Sequence, residues 1–361
     1  MKNIFILLCI ALFSMLSACE IILPTNISED ENLGITLNAV ASPDTTFKAY
    51  VTRCYPNSEA PAYEYNYIID KGYWIQNPVN HYLYSHLYKD SEETSVPFNI
   101  LENYNTIKNA TLSDAKVELT VNGKDIYPMV YDTLMLCFQS NYTPTIGDHL
   151  EVRINNRTGE QTIARTEIPH PQKLEIVELE TELLEKEEYL KEVSNFNKGY
   201  IRMKLRLHDP KDEKNYYRLA IRGIERNVGM NHAYNRVWNS FQSSDPIFRD
   251  ERLTIGWGSG PAYFSNVFDD TLMNGKAYEF SVRTYVLGVT YIDRWPTYEV
   301  SLQSITEDYY RYLKSLELFK ISTLGTYSEG IYIHSNNEGG WGLLGGISGE
   351  VHIIEPFKDM N

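Results

Sequence analysis

The residues of this chain that could do chemistry are scattered, and each local cluster lacks the spacing its reaction would need. Of eight histidines only His81 and His86 stand close together. A metal-binding helix places two histidines four residues apart on one face, so this pair reads as part of a solvated loop. Gly256-Trp257-Gly258-Ser259-Gly260 invites comparison with a nucleophile elbow, but the serine stands one place late for Gly-x-Ser-x-Gly. Asp209, Asp212 and Asn215 offer oxygen ligands at loop spacing. A calcium loop is denser and closes on a distal glutamate, so these read as a turn between strands. The Gly-rich stretch 339–346 lacks the Lys-Ser/Thr pair of a phosphate loop and does not open a helix. The sequence therefore predicts no catalytic set, no metal site and no cofactor, and the expectation is a non-enzyme.

One cysteine does carry a chemical signal. After Lys2 an apolar run extends from Ile4 to Leu16, the length of a signal-peptide core and too short to span a bilayer. It closes on Leu16-Ser17-Ala18-Cys19, which resembles the lipobox of bacterial lipoproteins. Small residues there admit a peptidase, and the Cys19 thiol supplies the sulfur that is acylated. Residues 1–18 are thus expected to be a signal peptide and Cys19 a lipid anchor, with 19–34 a short acidic tether containing Pro24 and Glu29-Asp30-Glu31. Two or three acyl chains hold a protein on a membrane without a transmembrane helix. The expectation from these residues is a lipid-anchored protein, with the face of the membrane left open. Export also frames the remaining thiols, Cys54 and Cys137, as either a structural disulfide or two separate buried thiols.

Aromatic side chains supply the candidate binding surface. Segment 227–264 is long and carries Tyr234, Trp238, Phe241, Trp257 and Tyr263 among Asn, Ser and Gly, and Trp341 stands in the late Gly-rich stretch. Flat apolar rings on loops suit a sugar, a peptide or a partner barrel. The competing reading is that they pack the end of a β-sandwich. Three short Asp-Thr sequences, beginning at Asp44, Asp132 and Asp270, match a glycosylation sequon of exported Bacteroidetes proteins.

The elements that must hold these residues are mainly strands. Ile201, Met203, Leu205 and Leu207 alternate with Arg202, Lys204 and Arg206, the period of a half-buried antiparallel strand. The same period marks Val117–Val121, Leu150–Ile154, Tyr217–Ile221, Tyr278–Val282 and Tyr298–Leu302. Turn chemistry at Asn122-Gly123, Asn155-Asn156, Asp209-Pro210 and Asn274-Gly275 separates them. The predicted fold class is mainly β, as two antiparallel sandwich units of immunoglobulin or fibronectin type, covering 35–169 and 170–361 with a boundary at Pro169-His170-Pro171. Within the first, 58–105 reads as an insertion containing Trp74. The acidic stretch 178–192 reads as a helix or a protruding hairpin. One helix is expected at about 305–319: Ser304 and Glu307 form a capping-box pattern, Tyr309, Tyr312, Leu313, Leu316 and Phe319 line one face, and Arg311, Lys314 and Glu317 face away.

Lys+Arg number 33 against 48 Asp+Glu, a net charge of −15 with no basic block. That excludes the electrostatic footprint of a nucleic-acid binder. Tyr is abundant, at 28 against 13 Phe, which suits half-wet β surfaces and binding faces alike.

Several stretches in one order carry a resemblance. They are Cys19, Ala41-Ser42-Pro43-Asp44 to Arg53, Ala115 to Gly123, Gly147-Asp148, Asp209-Pro210 to Leu219, Asp308-Tyr309-Tyr310-Arg311-Tyr312-Leu313-Lys314-Ser315-Leu316, and Ser335-Asn336 to Gly346. Together the chain resembles a Bacteroidetes family of outer-membrane lipoproteins with a domain of unknown function, number 4249. The resemblance implies a cell-envelope lipoprotein encoded beside a TonB-dependent receptor, an accessory in nutrient uptake, and it carries over no catalytic residue. The expected function is that of a lipid-anchored accessory or binding protein working with such a receptor, or else a structural or adhesive, fimbrillin-like surface lipoprotein.

Overall fold

The computed structural model describes residues 34–53, 108, 110–183, 197–211, 213–229, 232–239, 241–250, 264–287, 297–322 and 332–357. The lipobox, the tether, the insertion at 58–105 and Cys54 lie outside these residues. The described chain is mainly β, in sheets that are antiparallel apart from one parallel pairing, with one α-helix.

The first sandwich follows from the alternating pattern. One layer holds β1 (Ile35–Ala41), β2 (Lys48–Arg53), β5 (Val130–Asp132) and β6 (Cys137–Gln139). The other holds β3 (Lys116–Val121), β4 (Asp125–Pro128), β7 (His149–Asn155) and β8 (Gln161–Glu167). Because successive side chains point to opposite faces, Leu37, Ala49 and Val51 from one layer meet Val117, Leu119, Val152 and Ile154 from the other in a buried core. Asn122 at φ 52° and Gly123 at φ 65° make the left-handed turn between β3 and β4 that the sequence predicts.

The second sandwich packs β9 (Leu174–Leu183), β10 (Asn197–His208) and β14 (Ala277–Leu287) against β11 (Tyr216–Gly229), β12 (His232–Asn239), β13 (Val267–Asp269) and β15 (Thr297–Ile305). Leu183 pairs with Gly199, so the first part of the acidic stretch is the rising arm of a β9–β10 hairpin. Its glutamates ladder against β10: Glu182 pairs with Arg202, and Glu178 with Lys204.

Two strands depart from the sequence expectation. Segment 227–264, whose composition suits a binding loop, contains β12, which pairs with β11 from Arg222↔Asn239 to Gly229↔His232. The Gly-rich stretch begins β17 (Gly340–Ile354), preceded by the two-residue β16 (Asn337–Glu338). Its Gly340–Gly346 half lies parallel to β1, and its Ile347–Ile354 half lies antiparallel to β15. One strand therefore joins the sheets of both sandwiches, while their cores remain separate clusters.

The helix α1 (Glu307–Ser322) covers the outer face of this joint, with Tyr309, Tyr312 and Leu316 buried against Val267, Ile305, Leu343 and Ile347. The packed face at Tyr309, Tyr312, Leu313 and Leu316 is as the spacing predicts; the cap and the outward face are not, and Glu317 of that outward face bonds Ser265. Ser304 belongs to β15, opposite Ser348, and its hydroxyl is buried without a hydrogen-bond partner, so it does not cap the helix. Lys314 does not face solvent but is buried against Asp250.

Candidate functional site

Of the aromatic residues singled out by sequence, Tyr234 and Trp238 belong to strand β12, where they pair with Asn227 and Gly223. Trp257 and Tyr263 lie outside the described residues. Phe241 is not on a binding surface. It stacks edge-on to Phe248 and Phe264, and Phe248 continues the cluster to Phe268 and Phe280, so these rings close the end of the second core.

That cluster fixes the base of segment 251–263. Arg249 and Phe264 form a bridge, and Ser265 N–H donates to the Phe248 carbonyl at 2.8 Å. The described residues on either side of 251–263 are therefore joined at one point, between the short 3-10 turn Pro246–Phe248 and β13. Asp245 caps that turn by accepting from Ile247 N–H and also accepts from the Tyr278 hydroxyl.

Trp341 is exposed. It opens β17 opposite Thr36, at the end of β1 where the chain arrives from the N-terminus, and its ring lies against Gly34 and 6.2 Å from the exposed ring of Tyr332. Two residues further on, Leu343 is buried under α1. The Ser-Asn-Asn run before β17 is a bracket. Asn336 donates to and accepts from the backbone of Leu344, both at 2.9 Å, and donates to the Arg165 carbonyl. Asn337 donates to the carbonyls of Leu37 and Trp341. This is how a Gly-rich segment is held as a strand between β1 and β8. Gly346 admits no side chain, since a Cβ there would lie 1.8 Å from the Glu167 carbonyl.

A groove of about 810 Å³ lies between the outer face of β3, β7 and β8 and the first turn of α1, lined among others by Glu151, Arg153, Arg165, Glu307 and Asp308. Its charges largely satisfy one another: Arg165 reaches Glu151 at 2.8 Å and Glu338 at 2.6 Å, and Arg153 reaches Glu151 at 2.9 Å. Burial raises the Glu151 carboxyl, but the two guanidinium groups outweigh it and hold the group below its ordinary range.

Asp212, His81, His86 and 256–260 lie outside the described residues, while Asp209 and Asn215 have structural roles. Asp209 accepts from the Tyr217 hydroxyl and from Gly275 N–H, and Asn215 N–H donates to Asp270, which also holds Lys214 at 2.6 Å. These contacts tie the turn before β11 to the turn before β14, as the turn reading expects. Among the described residues no three His, Cys, Asp or Glu side chains could hold a metal ion. Cys137 is a free, buried thiol whose desolvation pushes it up to about 11, which keeps it protonated and unreactive at neutral pH. Cys19 and Cys54 lie outside the described residues.

In comparison with known proteins, a family model described as Domain of unknown function (DUF4249) matches residues 93–350, well over half of the chain. No curated protein and no solved structure matches it.

Proposed function

The chain belongs to this DUF4249 family, and from that premise we propose that it is a lipid-anchored, non-catalytic protein of the outer membrane. In this reading it serves as an accessory or binding subunit of a TonB-dependent receptor in nutrient uptake. The observation that carries the reading is the apolar run closing on Leu16-Ser17-Ala18-Cys19, which combines an export signal with an acylation site. The β frame supports a binding role. The residues flanking segment 251–263, which contains Trp257 and Tyr263, are joined by the Arg249–Phe264 bridge beside a cluster of phenylalanines, and a binding segment is best carried by such a rigid base.

Two measurements test the proposal. Cys19→Ser is expected to move the protein from the membrane to the soluble fraction, and retention of that variant on the membrane would remove the anchor. Purification of the native protein from its own membranes in mild detergent is expected to recover a TonB-dependent barrel in stoichiometric amount. A second reading, a structural or adhesive surface lipoprotein, is favoured by one feature. Among the described residues Ile347–Ile354 pairs only with β15 and carries exposed Val351 and Ile353, an edge that a further strand could extend. Recovery of a ladder of the protein itself would favour that reading over the receptor accessory.

A further inference from the structure

We propose that Tyr332 and Trp341 seat the protein in the headgroup region of the bilayer that holds its own lipid anchor, an inference that rests on the reading of Cys19 as acylated. Trp341 is 47% exposed and Tyr332 66%, with their rings 6.2 Å apart. Their chain neighbours Ile333 and, two residues past Trp341, Leu343 belong to the apolar cluster beneath α1, so the exposed pair is carried by chain anchored in the core. Indole and phenol rings combine an apolar body with one polar hydrogen, and this favours them at a membrane interface over either water or hydrocarbon.

Their position names the occupant. The described chain begins at Gly34, whose Cα carries no side chain and lies against the Trp341 ring. Ile35 then pairs with Gly340 and Thr36 with Trp341. Whatever links Cys19 to the fold therefore enters it beside this aromatic pair, over fifteen peptide steps that span at most roughly 50 Å. Arg53 ends β2 opposite Ile35 and is also exposed, placing a cation at the same end of the sheet for lipid phosphate. Acyl chains hold a protein at a membrane without orienting it. Once they are inserted, a second contact becomes intramolecular, with an effective concentration on the order of millimolar, so two rings that bind weakly on their own suffice. The consequence is an orientation in which the N-terminal end of β1 faces the lipid.

The test uses the full-length acylated protein in phosphatidylethanolamine/phosphatidylglycerol vesicles containing lipids brominated on the acyl chain near the headgroup. Bromine quenches indole fluorescence on contact. Quenching of part of the tryptophan emission, lost in a folded Trp341→Phe variant, is the expected result. Equal quenching in both proteins, or none in either, while the mass of the N-terminal peptide shows acylated Cys19, overturns the seating and leaves the anchor standing. Absence of acylation overturns both. As a second measurement independent of Trp341, a photoreactive benzophenone replaces Tyr332 in native membranes. Cross-links to lipid are expected, and cross-links to a protein instead would assign the pair to a protein partner.

Discussion

Lys314 Nζ lies 3.0 Å from Asp250 Oδ2, with the two side chains 8% and 7% exposed. One helical turn further along α1, Glu317 accepts from the Ser265 hydroxyl at 2.9 Å. Asp250 precedes segment 251–263 and Ser265 follows Phe264, so both ends of that aromatic segment are tied to the same face of the helix. Breaking a buried pair from one side leaves a charge in a poor environment. Asp250→Ala is therefore expected to destabilise the protein by about 3 kcal/mol in urea denaturation. Asp250→Ala combined with Lys314→Met should recover part of the loss, since it also removes the buried ammonium, which Asp250→Ala leaves with Glu317 at 3.7 Å as its carboxylate partner.

Tyr309 is completely buried and lies on Gly345 of β17: a Cβ at Gly345 would come within 2.9 Å of the ring. Tyr309→Ala is expected to cost about 3–5 kcal/mol, measured by thermal or urea unfolding, because the ring leaves a cavity under α1. Gly345→Ala alone should also destabilise by clash. In the Tyr309→Ala background the added methyl occupies vacated space, so the double variant should be more stable than the sum of the single changes requires, a coupling detectable in a double-mutant cycle.

Asn336→Ala removes both hydrogen bonds to the Leu344 backbone and the one to the Arg165 carbonyl. The backbone groups left behind are partly buried, so a loss of about 2–4 kcal/mol is expected. Hydrogen exchange should show the gain in opening concentrated at Leu344 and its neighbours on β17. A uniform gain across both sandwiches would contradict the bracket.

Asp148 closes the turn before β7. Burial raises its carboxyl, but hydrogen bonds from the Tyr142 hydroxyl, the Thr145 N–H and hydroxyl, and Asn122 Nδ2 outweigh this and hold it below its ordinary value of 3.8. A carboxyl lowered in the folded state contributes stability above its unfolded value and loses it as pH falls through the folded one. Asp148→Asn should therefore be less stable than the wild type at pH 7, with the two stability curves converging below about pH 4. On the alkaline side, burial and the bond to Asp148 push Tyr142 up to about 12. Because the unfolded tyrosine ionises first, stability should begin to fall near pH 10.

Strands with one wet and one dry face declared themselves in the sequence, because alternation is a local consequence of the pleat. Ile201 to Leu207, Val117 to Val121 and Leu150 to Ile154 are strands where the period places them. The apolar face of α1 was legible for the same reason. β12 was not, since its aromatic and polar residues lack a clean alternation and resemble a loop in composition. Nor was β17, whose Gly-rich start shows no alternation of apolar and polar side chains. Lys314 shows the limit for single residues: its spacing on the helix places it outward, and it is Asp250, arriving from a distant segment to join Glu317 of the helix itself, that makes a buried ammonium tenable.

Local chemistry alone thus determined the mainly β class, the alternating strands and the turns between them. Each depends on residues adjacent in the chain or related by one short period. Tertiary structure alone decided that a single Gly-rich strand spans both sandwiches and that Asn336 and Asn337 bracket it. It also decided that Trp341 stands where the N-terminal segment enters the fold. Those facts depend on close approach between segments some three hundred residues apart, such as Leu37 and Asn337, and no local period encodes which distant backbone a glycine makes room for.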